Sequence, residues 1–504
     1  MSEFYKQNIG KNLSTHYLIP RKTKIVATLG PSSTSEEMLA RLITAGVNVV
    51  RLNFSHGTAA DHIARAEIVR KIALKLGRPV GVLCDMQGPK IRIGKFELGK
   101  IELKMGDLFV LDADCNLGDQ YHVGLDYKEL TKEVEAGTVL LLDDGRIVMT
   151  VDRVKGNQIH CVVNTGGILS NNKGINRQGG GLSAEALTTK DREDILTAVA
   201  LEADYIAISF PKNAADVELA RSLVKKAGGT ASIVAKIERA EAIDNLEEII
   251  EASDVIMVAR GDLGVEVGDA AVPGLQKRMI RMARAQNKLV ITATQMMESM
   301  IFSPIPTRAE VSDVANAVLD GTDAVMLSAE TAAGKFPLEA VQAVHRVCIE
   351  AEKEYNSQHK LSVRRARDFV KADEATAMAA IYIADNFNIK AIAALTQSGN
   401  SAQWLSRADT TVPIYALSPD KVARRKLTLH RGVYPYPIEQ EGKSLNDVLS
   451  EVERILLKNG VVHAGDNVLL TFGEPIGSAG GTNALKIVQI KHTEADDSKT
   501  LVAG

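Results

Sequence analysis

Eight short apolar runs alternate with helix-length stretches through the first two thirds of the chain, and this rhythm predicts an α/β protein built on a closed TIM (β/α)8 barrel. A long break after the third run predicts a small inserted β-barrel domain. A second α/β pattern near the C-terminus predicts a further open α/β domain. A length of 504 residues is too great for one ordinary domain and fits this division.

The eight runs are residues 25–29, 47–52, 80–84, 205–209, 232–236, 255–259, 289–293 and 324–327. Helical patterns such as 36–45 and 61–76 lie between them. Between residues 84 and 205 the segments 101–103, 108–111, 139–142, 147–151 and 159–163 read as short strands separated by Gly, Asp and Asn. The expected division is an N-terminal segment 1–20, a barrel of 21–88 and 186–354, an insert of 89–185, a C-terminal domain of 355–491 and a tail of 492–504. The insert's outgoing stretch, 166–181, is rich in Gly and Asn and is expected to include a hinge. A mobile insert above the strand ends would form a lid. C-terminal strands are expected at 391–396, 413–417, 432–436, 467–471 and 484–490, and the polar tail is expected to be disordered.

Composition excludes several classes. A formal charge of −3 over this length is near neutral, so no nucleic-acid partner is expected. The basic clusters 364–367 and 424–426 read as solvated helix faces. The cysteines Cys84, Cys115, Cys161 and Cys348 have no disulfide or metal spacing, which suits a reducing compartment. No leader-like or membrane-length apolar run occurs, so a cytoplasmic protein with no membrane partner is expected.

In a TIM barrel the chemistry gathers at the C-terminal strand ends. Six of the ends carry 51–57 (RLNFSHG), 85–90 (DMQGPK), 236–238 (KIE), 259–262 (ARGD), 292–295 (TATQ) and 328–330 (SAE). Glu238 and Asp262 are hard oxygen donors on neighbouring strands and suit Mg²⁺. Arg51 and Lys236 are cations whose targets are phosphate and carboxylate oxygens. Gly261 leaves backbone N–H groups open to an anion. Thr294 and Ser328 offer hydroxyls. Cations and carboxylates without a nucleophilic pair point to phosphoryl transfer or enolate chemistry. Each residue alone also fits a plainer role. Lys236 and Glu238, two apart on one strand, fit a simple ion pair. Asp262 fits a helix cap, Arg51 a structural arginine, and His56 a loop histidine.

The segments 23–31 (TKIVATLGP), 51–57, 85–92 (DMQGPKIR), 235–238, 257–264 (MVARGDLG), 294–300 (TQMMESM) and 320–331 (DGTDAVMLSAET), in this order, resemble the signatures of pyruvate kinases. The similarity runs from about residue 21 to 490. The resemblance implies transfer of the phosphoryl group of phosphoenolpyruvate to ADP, giving pyruvate and ATP. It implies that Arg51 holds the phosphoryl group, that Lys236 stabilises the charge of transfer, and that Glu238 and Asp262 hold Mg²⁺, with Mn²⁺ as a substitute. The backbone of Ala259, Arg260, Gly261 and Asp262 would hold the substrate carboxylate, with Thr294 and Ser328 beside it. His56, Arg92 and Lys190 match nucleotide contacts. Asn53, Ser55, Asp85 and the Met86 carbonyl match K⁺ ligands. Lys90 stands where K⁺-requiring relatives carry Glu, and its ammonium is expected to fill the site around Asn53, Ser55 and Asp85, so K⁺ is not expected to be required.

In the C-terminal domain the turn 396–402 (TQSGNSA), with Thr396, Ser398, Gly399, Asn400 and Ser401, resembles the family's effector-phosphate loop, and 473–482 its effector loop. A phosphorylated allosteric effector and a homotetramer are the expectations. An ordinary capped turn also fits 396–402. Two rivals share parts of the site: a Mg²⁺-dependent barrel lyase or aldolase, and a catalytically inactive sugar-phosphate sensor. The insert and the Arg92 and Lys190 matches favour the kinase over the first, and the presence of Lys236 and Glu238 favours it over the second.

Overall fold

The computed structural model describes residues 21–359, 371–408, 410–475 and 481–491. The N-terminal segment, the basic cluster 364–367, the tail 492–504 and residues 476–480 of the expected effector loop lie outside the described residues. Two compact units emerge, residues 23–351 and residues 352–504 together with 1–22.

The larger unit holds the barrel. Its strands are β1 (Lys24–Thr28), β2 (Val49–Asn53), β3 (Gly81–Asp85), β4 (Tyr205–Ile208), β5 (Ser232–Ile237), β6 (Val255–Ala259), β7 (Leu289–Ala293) and β8 (Ala324–Leu327). They pair in parallel and close, β1 bonding both β2 and β8. Strands such as KIVAT and VIMVA are buried at every position because helices cover the outside and side chains fill the inside. Outer helices start where the chain supplies caps. Thr58, Thr188 and Thr307 each form a reciprocal capping box with the acid three residues on.

The insert folds around its own apolar core, which includes Phe109, Leu140, Met149 and Ile159. Lys100–Leu103 pairs with Gly167–Ser170, and a six-stranded sheet forms beside it. Sequence reading passed over three of its strands, His122–Gly124, Gly167–Ser170 and Ile175–Arg177. Two of them fall in the stretch expected to include a hinge. That stretch is therefore partly strand, and its left-handed glycines are confined to 179–181.

In the smaller unit, four parallel strands and an antiparallel edge strand, Thr482–Gln489, form an open sheet with helices packed on it. The turn after strand Ile389–Leu395 leads into helix Asn400–Arg407.

Candidate active site

The ends of β2, β3 and β5 bring four charged side chains together. Register pairs Arg51 with Leu83 and Asn53 with Asp85, so Arg51 and Asp85 meet across neighbouring strands. Arg51 Nε donates to Asp85 Oδ2 at 2.7 Å, and its Nη1 donates to the Thr28 hydroxyl at 3.1 Å. Lys236 Nζ lies 3.4 Å from Asp85 Oδ1 and 2.8 Å from Glu238 Oε1. It also donates to Ser209 Oγ at 2.7 Å, and Ser209 donates to the Met86 carbonyl at 2.8 Å. Lys236 and Glu238 do pair, as their spacing allows, and Arg51 is firmly anchored. Both plainer readings are therefore geometrically true, inside a buried cluster at the barrel mouth.

This cluster controls its own ionisation. Asp85 and Glu238 side chains are 1% exposed. Burial pushes the Glu238 carboxyl up to about 7, the attraction of Lys236 opposes this, and the nearby Asp262 carboxylate adds to it. Burial alone would lower Lys236, but Asp85 and Glu238 outweigh it and hold the ammonium above the usual lysine range. Burial would raise Asp85, yet Lys236 and Arg51 keep it below the ordinary aspartate value.

Helix Arg260–Val267 starts directly after β6, with Ala259 at its N-cap and no side-chain cap bond. Asp262 sits inside the first turn, so the capping alternative fails: the helix begins three residues too early for it. Lys90 Nζ donates to Asp262 Oδ1 at 3.1 Å and lies 3.7 Å from Asp144 of the insert. Burial would lower Lys90, and the two carboxylates raise it. Gly261 N donates to Thr294 Oγ1 at 2.8 Å. Thr294 and Gln295 have φ of 67° and 54°, a left-handed pair that is costly for a β-branched residue. The Arg260 guanidinium holds that turn, donating to the carbonyls of Ala293 and Thr294 and to Asp313 at 2.7 Å. A cavity of about 840 Å³ opens here, lined by Lys90, Gly261, Asp262, Thr294, Gln178 and Ser328.

Other expected site residues are placed more loosely. Lys190 Nζ donates to the Phe54 carbonyl at 2.8 Å, which sets it beside the loop of exposed His56. Arg92 donates to the Asn172 carbonyl within the insert. Asn53 Oδ1 accepts from Ser55 N at 3.1 Å, so these two close their own loop. Lys90 bonds Asp262 rather than joining Asn53, Ser55 and Asp85. The expectation that it fills that group does not match its position; the carboxylates of Asp262 and Asp144 draw it across the mouth.

Sequence reading missed Ser209 and Asp144. Ser209 ends the fourth run, one of the two strand ends not read for polar residues. Asp144 lies in an insert hairpin that no barrel periodicity could bring to the mouth.

In the smaller unit, Gly399 has φ 96° and forms the N-cap of its helix with no side-chain cap bond. Thr396 Oγ1 accepts from Gly399 N at 2.9 Å. Asn400 and Ser398 are exposed, and Ser401 bonds Thr482. The N-cap glycine itself offers no side chain to the first N–H groups of the helix.

The Gly261 N–H expected to be open to an anion is taken by Thr294 Oγ1. A parallel barrel whose mouth gathers cations and carboxylates beside a cavity suits an enzyme that stabilises a reacting anion. The comparisons with known proteins narrow the class. The model of the pyruvate kinase barrel domain matches residues 20–341, and that of the pyruvate kinase alpha/beta domain matches 374–488. The chain is 50% identical over 480 residues to pyruvate kinase II of Salmonella typhimurium, covering 94% of this chain and 99% of that one. It is 51% identical over 462 residues to a pyruvate kinase of Haemophilus influenzae, covering 90% and 96%. The chain belongs to the pyruvate kinase family of phosphotransferases.

Proposed function

We propose that the barrel mouth carries out the family's reaction as follows. The chain moves the phosphoryl group of phosphoenolpyruvate to ADP, yielding pyruvate and ATP in the last step of glycolysis. The observation that carries the site assignment is the buried Arg51–Asp85–Lys236–Glu238 cluster. Arg51 orients the phosphoryl group, and Lys236 offsets charge that grows on it and on the enolate left behind. The backbone of Ala259, Arg260, Gly261 and Asp262 receives the substrate carboxylate, and Thr294 and Ser328 border the carbon that takes a proton. His56, Arg92 and Lys190 receive the nucleotide. The insert, proposed as residues 89–185, closes over it and excludes water.

Glu238 and Asp262 fit Mg²⁺ or Mn²⁺. Among the described residues no group of three or more His, Cys, Asp or Glu side chains is placed to hold a metal. Two carboxylates suit Mg²⁺, which retains waters and substrate oxygens. Burial and the facing Asp262 both oppose ionisation of Glu238, and a divalent cation relieves both. When bound, the ion supplies positive charge to the phosphoryl oxygens. K⁺ is not required in this reading, because Lys90 brings a fixed positive charge to the same mouth.

Phosphoenolpyruvate, ADP and Mg²⁺ should give pyruvate and ATP in equal amounts; pyruvate without ATP would overturn the assignment. The turn Thr396, Ser398, Gly399, Asn400 and Ser401 is proposed to bind a phosphorylated effector at its open helix N-terminus. Ser398→Asp should abolish activation by sugar phosphates or nucleoside monophosphates while basal turnover persists. If none of these shifts the wild-type phosphoenolpyruvate curve, this regulatory reading fails. A homotetramer in the cytoplasm completes the proposal. No helix among the described residues is long and apolar enough to cross a membrane.

A further inference from the structure

The insert's outgoing strand returns to the barrel through Gly179, Gly180 and Gly181, with φ of 81°, 77° and 90°. A left-handed run of this kind suits only glycine. At Gly180 a Cβ would stand 2.5 Å from a Glu241 carboxylate oxygen. Three barrel residues grip the segment. Arg239 donates to the Leu182 carbonyl at 2.8 Å, and Glu241 accepts from Gly181 N. The third is Glu266, whose backbone carbonyl accepts from Gly179 N at 3.3 Å and whose Oε1 accepts from the Asn176 side-chain amide at 3.4 Å.

Glu266 also reaches inward through two connections. Its Oε2 accepts from Ala240 N at 2.9 Å, two residues beyond Glu238. It lies in the last turn of the helix whose first turn carries Asp262. The residue is 5% exposed, so its carboxylate has little water to turn to. A cavity of about 20 Å³, bounded by Lys90, Asn176, Phe210, Arg239 and Glu266, gives this joint room for about one water.

We infer that Glu266 is a positioning residue that couples closure of the insert to the placement of Glu238 and Asp262. This rests on reading those two as the metal ligands. A buried carboxylate left without a partner is costly, so displacement of the Asn176 amide must be followed by Glu266 or compensated by water. Movement of Glu266 shifts both the partner of Ala240 and the end of the Asp262 helix. Displacements of about an ångström far from the chemistry are enough to change rates up to about 100-fold.

The test uses the full-length enzyme. Asn176→Ala removes only the hinge-side bond. It should raise KM for ADP roughly tenfold, the scale of one lost hydrogen bond, while KM for phosphoenolpyruvate holds. Amide exchange of residues 100–170 in the presence of ADP should quicken. Glu266→Ala should raise KM for ADP and also weaken Mn²⁺ binding, read by electron paramagnetic resonance without substrates. Glu266→Gln, which keeps an acceptor for Ala240, should restore most of the Mn²⁺ affinity. In the Asn176→Ala/Glu266→Ala double variant the two ADP effects should not add.

Unchanged ADP kinetics and exchange in Asn176→Ala would overturn the coupling. So would a Glu266→Ala enzyme that loses Tm but keeps its Mn²⁺ affinity while Glu238→Gln loses it. If Glu238→Gln itself leaves Mn²⁺ affinity unchanged, the ligand reading falls and the coupling falls with it.

Discussion

Replacing Lys236 by Met removes one of two cations from a cluster that otherwise balances two carboxylates, leaving Arg51 alone against Asp85 and Glu238. The ammonium is held above the usual lysine range, so wild-type Lys236 is charged at any working pH. A unit charge about 4 Å from a reacting anion is worth about 4 kcal/mol at an effective dielectric near 20. That is roughly a thousandfold in rate, at the upper end of the roughly 10²–10³ seen when one preorganised donor is lost. Ground-state binding should change little, because Arg51, still bonded to Asp85 and Thr28, and the helix backbone remain to hold the substrate. The expected Lys236→Met enzyme therefore has kcat lowered by about 10²–10³ and KM for phosphoenolpyruvate within a few-fold of wild type. Breaking a buried ion pair also costs stability, about 3–5 kcal/mol in comparable cases, so Tm must be measured alongside. Coupled pyruvate formation under saturating substrates is the assay. A folded Lys236→Met enzyme with near wild-type kcat would refute the reasoning.

Glu238→Gln and Asp262→Asn should each raise the Mg²⁺ concentration needed for half-maximal rate; unchanged Mg²⁺ curves would take both out of the metal site. Activity in a buffer containing only a bulky organic cation should be near full, and Lys90→Glu should make it depend on K⁺; strong K⁺ activation of the wild type would refute the role given to Lys90. His62 is 1% exposed and stacks on Phe54 at 4.0 Å, and burial, with Arg65 adding, holds its imidazole below the usual value of about 6.5. The unfolded chain then takes up a proton that the folded one resists, so stability should fall as pH drops below about 6.5. Tm measured from about pH 7 to about pH 5 should fall less in His62→Phe than in wild type, and parallel curves would exclude His62 as the cause.

The barrel strands were legible because burial on both faces writes them as unbroken apolar runs. Residues 255–259, 289–293 and 324–327 were read to the residue. The short strands His122–Gly124 and Ile175–Arg177 were not, since three residues carry no period and their pairing is set by distant partners. Arg51, Lys236, Glu238 and Asp262 stood out through chemistry at strand ends. The pairing of Lys90 with Asp262 was hidden, because it joins positions 172 residues apart and depends on where the insert folds back. The left-handed Thr294 gave no signal either: threonine is a residue that sequence reasoning assigns to extended backbone.

β3 and β4 are hydrogen-bonded neighbours, Cys84 facing Ile206, although the whole insert lies between them in the chain. The insert's two ends run side by side, Ile175 N bonding the Ile91 carbonyl at 2.9 Å. To the barrel, this large excursion looks like a short, already closed loop. Its closure cost grows only slowly with length, and the excursion folds on a core of its own. A domain can be gained, exchanged or lost at such a seam without disturbing one barrel pairing. The catalytic floor and its movable roof can thus vary on separate schedules, joined by side chains such as Lys90 on Asp262 and by those that clasp the returning glycines.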